Sequence, residues 1–178
     1  MRILVAEADS GVAKQYKLRL GDRGHIVIVT ASGKDCLKTY NEKLQDIKLH
    51  SDPIEHVQPF DVVILNHKIP KLKGLGVAKK ILAVNPHQRI IFASAYPKDI
   101  LKDCLQQLKQ SVEVLNKPFS KQALIDSVED KYIYSALKEL NVNIDDIKNA
   151  NFRHEQLKEM LRILKNARRR NQHEESKS

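Results

Sequence analysis

The sequence lacks the features of a membrane protein and of a disulfide-bonded protein. Its longest apolar runs are the length of a strand, far short of the ~20 residues that cross a bilayer. Cys36 and Cys104 are the only cysteines, and their spacing fits neither a disulfide nor a metal site. The apolar start runs directly into Glu7 and Asp9, unlike a secretory leader. We therefore expect a cytoplasmic protein with reduced thiols and no membrane partner.

Acidic residues are also too few to balance the basic ones. The chain has 31 Lys and Arg against 22 Asp and Glu, a net charge of +9. Most of the excess lies in residues 1–120, with 19 basic and 12 acidic residues. Such a charge favours contact with polyanions but does not by itself identify one.

What the chain does contain is an alternation of short apolar strands with helical patterns through its first 140 residues. Each strand is followed by apolar residues at helical spacing. The third strand is an unbroken run rich in β-branched residues, typical of a central strand buried on both faces. Right-handed crossovers between such units predict a doubly wound, five-stranded parallel sheet. The predicted strands begin at Arg2, His25, Val62, Arg89 and Val112.

Three segments are predicted along the chain. Residues 1–140 form an α/β domain, residues 141–170 a C-terminal helical extension, and residues 171–178, which contain no apolar residue, a disordered tail. Inside the domain, two prolines and mixed polar residues predict a surface loop over 50–59. The helix after the fourth strand is marked by Ile100, Leu101, Cys104, Leu105 and Leu108.

The last predicted helix carries a narrow apolar stripe at heptad-like spacing. A seam of this kind favours pairing with a second copy, so that we expect a homodimer. The alternative is that the helix packs back against its own chain. The residues of this candidate dimer helix are Leu157, Met160, Leu161 and Leu164.

The same helix also carries a basic face. The usual role of such a face is a solvated surface, and the alternative is contact with nucleic acid, which would make the chain a small nucleic-acid-binding transcriptional regulator. The candidate contacts are Arg162, Lys165, Arg168, Arg169 and Arg170.

Polar side chains follow four of the predicted strands. Glu7 and Asp9 follow the first strand, Asn66 the third, Ser94 the fourth and Lys117 the fifth. The carboxyl ends of parallel strands converge on one crevice, so these residues should share a site. Two carboxylates suit a divalent cation, a hydroxyl suits an anion's oxygen, and an ammonium group can neutralise it.

Four fragments in the same order carry a family resemblance. They are ILVAEAD at 3–9, DVVILNHKIPKLKG at 61–74, IIFASAY at 90–96 and NKPF at 116–119. Over residues 1 to about 130 the chain resembles the receiver domain of two-component response regulators. That resemblance implies a flavodoxin-like, CheY-like fold with strand order 2-1-3-4-5, and phosphorelay signal transduction as the function.

The resemblance also implies roles for single residues. Lys117, followed by the usual Pro118, matches the lysine that contacts the phosphoryl group. Ser94 matches the Thr or Ser that moves towards the phosphate. Glu7 and Ala8 stand where two acidic residues form the magnesium pocket.

Departures from the family pattern then predict the function. The position of the phospho-accepting aspartate holds Asn66, whose amide cannot form an acyl phosphate. One pocket acid is missing at Ala8, so that Glu7 and Asp9 are vestigial and the Mg²⁺ site is lost or weak. The aromatic switch position holds Val114. We expect a non-enzymatic pseudo-receiver with no catalytic residue and no cofactor, in which Glu7 and Asn66 pair with Lys117 and signalling proceeds through protein contacts.

Overall fold

The chain alternates strands and helices in the computed structural model, which describes residues 1–50, 58–95, 112–143, 147 and 154–175. The predicted helix at 100–108, Tyr96 and most of the predicted loop over 50–59 lie outside the described residues. The described strands are β1 (Arg2–Ala6), β2 (Ile26–Thr30), β3 (Val62–Asn66), β4 (Ile90–Ser94) and β5 (Val112–Asn116). The described helices are α1 (Ser10–Gly21), α2 (Gly33–His50), α3 (Gly74–Val84), α4 (Lys121–Glu139) and α5 (His154–Glu175).

The five strands form one parallel sheet in the order β2-β1-β3-β4-β5, which confirms the predicted fold. β2 and β4 each begin one residue later than predicted. The register aligns the carboxyl ends of neighbouring strands. Ala6 pairs with Leu65, and Asn66 pairs with Ala93. The last residue of β4, Ser94, pairs with Asn116 at the end of β5. Residues that follow these strands therefore start from one edge of the sheet.

β3 is the central strand of the sheet, as its composition predicts. Its four residues from Val62 to Leu65 are fully buried, because strands pair on both sides and side chains pack on both faces. Val63 and Leu65 belong to the main core cluster. Cys36 lies in the same cluster, where burial raises the pKa of its thiol to about 12. A thiol buried in this way packs as a small hydrophobic side chain.

Two helices begin at polar caps that the sequence supplies. The Asp9 carboxylate accepts a hydrogen bond from the backbone N–H of Val12 at 2.9 Å and starts α1. The Ser32 hydroxyl accepts one from the backbone N–H of Asp35 at 3.2 Å, next to the start of α2. These caps fix where the chain turns after β1 and β2.

The chain divides into two compact units, residues 1–121 and 122–178. In the second unit, α4 and α5 share an apolar cluster whose members include Ile133, Leu137 and Ile147. Leu157 and Leu161 of α5 are buried in that cluster, with 1% and 8% of their surface exposed. All four residues of the predicted dimer seam belong to this cluster or pack against it, which is the alternative arrangement considered from the sequence, and pairing with a second copy stays a prediction. The predicted domain limits at 140 and 170 stay predictions.

α5 continues to Glu175, past its predicted end at 170. The expectation of a disordered tail from 171 is therefore wrong for residues 171–175. The segment has no Gly or Pro to stop a helix, and Gln and Glu are good helix formers even without an apolar face. None of the described helices has the length and apolar character needed to span a membrane.

Candidate functional site

The carboxyl edge of the sheet brings together three side chains that are far apart in the sequence. Glu7 directly follows β1, Asn66 ends β3 and Lys117 directly follows β5. β1 pairs with β3, and β4 lies between β3 and β5. Because all of these strands are parallel, the three residues lie at the same end of the strands. They make direct contacts with one another through Glu7.

The Glu7 carboxylate is the centre of the site. Its side chain is only 2% exposed, and a buried carboxylate needs hydrogen-bond donors to replace water. Nδ2 of Asn66 lies 3.0 Å from each carboxylate oxygen. Nζ of Lys117 lies 2.8 Å from Oε2, and the backbone N–H of Asp9 donates to Oε1 at 3.1 Å. Three donor groups therefore satisfy this carboxylate.

The amide of Asn66 uses both of its polar ends. Nδ2 donates to Glu7, and Oδ1 accepts a hydrogen bond from the backbone N–H of Lys68 at 3.2 Å. These two partners fix the orientation of the amide, because the flipped amide would place oxygen against the carboxylate. A carboxylate at position 66 would likewise face Glu7 at about 3 Å, where two negative charges repel. The amide makes this contact attractive.

Lys117 is held by charge and by aromatic rings. Its ammonium group pairs with Glu7 and lies 5.8 Å from the centroid of the Tyr16 ring, close enough for a cation–π contact. The Tyr16 ring in turn stacks on Phe119 at 6.2 Å with the planes 12° apart. Burial and the nearby Glu7 charge raise the pKa of the Tyr16 phenol. Nothing in the sequence pattern of the first helix showed that Tyr16 would lie beside Lys117.

Ser94 and Asp9 border the site in different ways from the prediction. Ser94 is fully buried at the end of β4, and its backbone carbonyl accepts a hydrogen bond from the backbone N–H of Lys117 at 2.7 Å, just before the cis Lys117–Pro118 peptide. Asp9 contributes its backbone N–H to Glu7, while its exposed carboxylate caps α1. One oxygen of the Asp9 carboxylate is thus used by the helix cap, and the assignment of Glu7 and Asp9 as a vestigial metal pair stays a prediction.

The residues present do not fit a magnesium ion. Mg²⁺ requires near-octahedral oxygen ligands, commonly from one or two carboxylates. Among the residues that the structure describes, Glu7 alone directs a carboxylate into the site, and both of its oxygens already accept hydrogen bonds from N–H donors. Ala8 supplies no ligand. Within the described part of the chain, no cluster of three or more His, Cys, Asp or Glu is arranged to hold a metal.

The predicted nucleic-acid contacts on α5 have partners within the chain. Arg162 forms a bidentate ion pair with Glu159 at 2.6 and 2.8 Å. Lys165 lies 5.6 Å from the centroid of the Tyr132 ring, and Arg168 donates to the Glu139 carbonyl at 3.5 Å. The other two candidates are Arg169 and Arg170, whose side chains lie outside the part of the chain that the structure describes.

Comparison with known proteins gives one consistent family. A family model described as "Response regulator receiver domain" matches residues 3–129. The chain is 25% identical over 135 residues to the transcriptional regulatory protein GlrR of Escherichia coli K12, covering 75% of this chain and 27% of that protein. It therefore spans about a quarter of the length of the curated relatives it matches.

Solved structures agree with this match at the level of the fold. A response regulator receiver domain protein from Clostridium thermocellum is 25% identical, with a TM-score of 0.58 over 72% of this chain and 91% of that one. The signal receiver domain of a putative Luxo repressor protein from Vibrio parahaemolyticus is 21% identical, with a TM-score of 0.61 over 80% of this chain and 97% of that one.

Proposed function

The chain belongs to the response regulator receiver domain family, and from that premise we propose that it is an atypical receiver that signals without accepting a phosphoryl group. In this proposal it is a non-enzymatic module of the cytoplasm. It has lost the phosphoryl chemistry of two-component signalling and acts through protein–protein contacts or dimerisation.

The contact between Asn66, Glu7 and Lys117 carries this proposal. An amide nitrogen is not nucleophilic, so position 66 cannot attack phosphorus. Asn66 also donates a hydrogen bond where an aspartate would carry a second negative charge. The opposite charges of Glu7 and Lys117 cancel within the buried contact. The site is therefore neutral and hydrogen-bonded without a metal ion or an anion.

The side chains of this pocket already balance one another's charges and hydrogen bonds, so that binding of a charged ligand is not needed to stabilise either state of the domain. A ligand can shift a conformational equilibrium only through a difference in its affinity for the two states. Because the carboxyl edge of the sheet has no nucleophile and no fitted metal site, phosphate and Mg²⁺ should bind two conformations of the domain with nearly equal affinity. The signal must then enter through surfaces of the domain or of its helical extension, by contact with another protein.

Titration with Mg²⁺, followed by NMR of the backbone amides, tests the chemistry of the pocket. We expect the amide resonances of Glu7, Asp9 and Lys117 to stay unchanged at millimolar Mg²⁺, because N–H donors occupy the Glu7 oxygens. The matched control is the double substitution Ala8→Asp with Asn66→Asp, which supplies two more carboxylates and should gain a saturable response. A saturable shift of the same amides in the unmodified chain would refute the proposal.

Nucleic-acid contact by the basic face of α5 stays a prediction that no described contact favours. Its described cations already interact with groups of α4 or α5. Binding through phosphate contacts weakens steeply with salt. A DNA mobility shift at micromolar protein that disappears at the higher of two salt concentrations would restore this alternative.

A further inference from the structure

The loop that joins β3 to α3 carries positive charge without any acidic residue of its own. From residue 62 to residue 98 the chain contains seven Lys and Arg and no Asp or Glu. Three of these cations lie in the loop itself, and all three are exposed; they are Lys68, Lys71 and Lys73. This stretch of the sequence therefore offers no carboxylate to balance the charge of the loop.

Lysines of the neighbouring helix α2 are balanced in a way that the loop lysines are not. Two of them form ion pairs with acidic residues of the same helix; the pairs are Lys38 with Glu42 and Lys43 with Asp46. In the part of the chain that the structure describes, Lys71 and Lys73 have no such pair. Burial and then the charges of Lys73 and Lys68 lower the pKa of the His67 imidazole, so both cations act on one ring. The positive charges of the loop are therefore close together.

Lys71 is held at the tip of the loop in a strained conformation. It is the central residue of a γ-turn in which the N–H of Leu72 donates to the Pro70 carbonyl at 2.8 Å. Its φ of 66° is left-handed, which is rare for lysine and strained in a turn of this kind. The N–H of Gly33 donates to the same carbonyl at 3.1 Å, and no Cβ would fit between Gly33 and the backbone oxygen of Leu72. Strain that neighbouring contacts maintain in this way is common at functional sites.

The contact with Gly33 places a fourth lysine beside the loop. Lys34 follows Gly33 at the start of α2 and is exposed. Asp35, the acidic residue in the first turn of this helix, accepts a hydrogen bond from the Ser32 hydroxyl. Four exposed cations thus surround one carboxylate. We define them as the basic rim, which consists of Lys34, Lys68, Lys71 and Lys73.

We propose that the basic rim is the surface on which this domain binds an acidic segment of a partner protein. Nucleic acid, the other common polyanion, fits the rim less well. The loop over 66–73 has no aromatic side chain on which a base could stack and no Arg to form bidentate contacts. Four lysines also neutralise fewer phosphates than the roughly six to ten that proteins contact on DNA. Carboxylates of an acidic segment complement the rim, because opposite potentials favour association.

This inference rests on the proposed function and makes it more specific, because it states the chemistry of the protein through which the signal enters. Failure of the inference can be told apart from failure of the proposed function. Binding at the rim is measured without acetyl phosphate or Mg²⁺, whereas phosphoryl transfer to the pocket is measured without a polyanion.

Titration of the full chain with poly-L-glutamate, followed by NMR of the backbone amides, locates the binding surface. We expect saturable shifts at Lys34, Lys71 and Lys73. The affinity should fall at least about tenfold between about 20 mM and about 200 mM salt, because ions screen exposed charges. The absence of a shift at these amides would overturn the proposal. A duplex DNA that binds them more tightly than poly-L-glutamate would overturn the choice of an acidic protein.

Two double variants with the same change in net charge separate a local surface from overall charge. Lys71→Asn with Lys73→Gln removes two cations of the rim and should weaken poly-L-glutamate binding at least about tenfold. Asparagine suits this position, since it tolerates a positive φ. Lys38→Gln with Lys43→Gln removes two cations that are already paired and should change the affinity less than about twofold. Thermal melting of both should match that of the unmodified chain, because all four side chains are exposed. Equal losses of affinity in the two variants would contradict the proposal.

Discussion

Replacing Lys117 by Met should destabilise the protein by about 3–5 kcal/mol, because it leaves a buried carboxylate without its counter-ion. The Glu7 side chain is only 2% exposed, so water cannot replace the lost ammonium group. Asn66 and the backbone N–H of Asp9 would still donate to Glu7, but neither carries a positive charge. Urea unfolding of the full chain measures this loss.

Two controls show whether the loss comes from an unpaired charge. Adding Glu7→Gln to Lys117→Met removes that charge and should recover much of the stability. Lys43→Met breaks an exposed pair with Asp46 in α2, whose side chains are 49% and 61% exposed, and should cost less than about 1 kcal/mol. If Lys117→Met cost no more than Lys43→Met, the ion pair would not be the structural centre of the pocket.

Replacing Gly74 by Ala should destabilise the protein by about 2–3 kcal/mol, because the turn after β3 leaves no room for a methyl group. A Cβ at this position would lie 2.4 Å from the backbone oxygen of Asn66 and 3.3 Å from the Cα of His67. The N–H of Gly74 already donates to the His67 carbonyl at 3.2 Å, so the turn cannot open without losing that bond. Any displacement of the turn that makes room for the methyl group should also change the side-chain amide resonances of Asn66.

Gly21 provides the matched control for this substitution. It lies at the end of α1, and a Cβ there would have no atom within 4 Å. Gly21→Ala should be neutral or stabilise the chain by up to about 1 kcal/mol, since alanine favours the helix. Equal unfolding free energies for the two variants would contradict the close approach of Gly74 to Asn66.

The sequence was sufficient for the sheet and for most of the pocket. An apolar run such as Val62–Leu65 is typical of the middle of a parallel sheet, where it is buried on both faces. Asn66, which follows this run, is therefore placed at the carboxyl end of the central strand. The convergence of Glu7, Asn66 and Lys117 follows from strand order, which the family resemblance implied. The position of Tyr16 beside Lys117 did not follow, because helical spacing gives a face but not the partner it meets.

Local hydrogen bonding gives Asp9 a role that its position at a strand end does not predict. A carboxylate placed just before a helix can accept from the first free N–H groups, and Asp9 accepts from Val12. This short-range contact competes with any long-range role in a metal site. Counting acidic residues at strand ends therefore overestimates the ligands available, unless each is first examined as a helix cap.

The two faces of α5 show a limit of periodicity. The stripe at 157, 161 and 164 and the stripe at 156, 160, 163 and 167 both have heptad-like spacing, and they lie side by side on the helix. Spacing alone cannot tell which stripe packs against the same chain. The apolar side chains of α4, together with Ile147, bury Leu157 and Leu161 of the first stripe and also contact Met160 of the second.

Intact-mass spectrometry after incubation with acetyl phosphate and Mg²⁺ tests the central claim most directly, with a receiver that retains its aspartate as the positive control. We predict that the mass of this chain stays unchanged while the control gains one phosphoryl group, because Asn66 offers no nucleophile. A stoichiometric, acid-labile phosphoryl adduct on this chain at the carboxyl edge of the sheet would contradict the account.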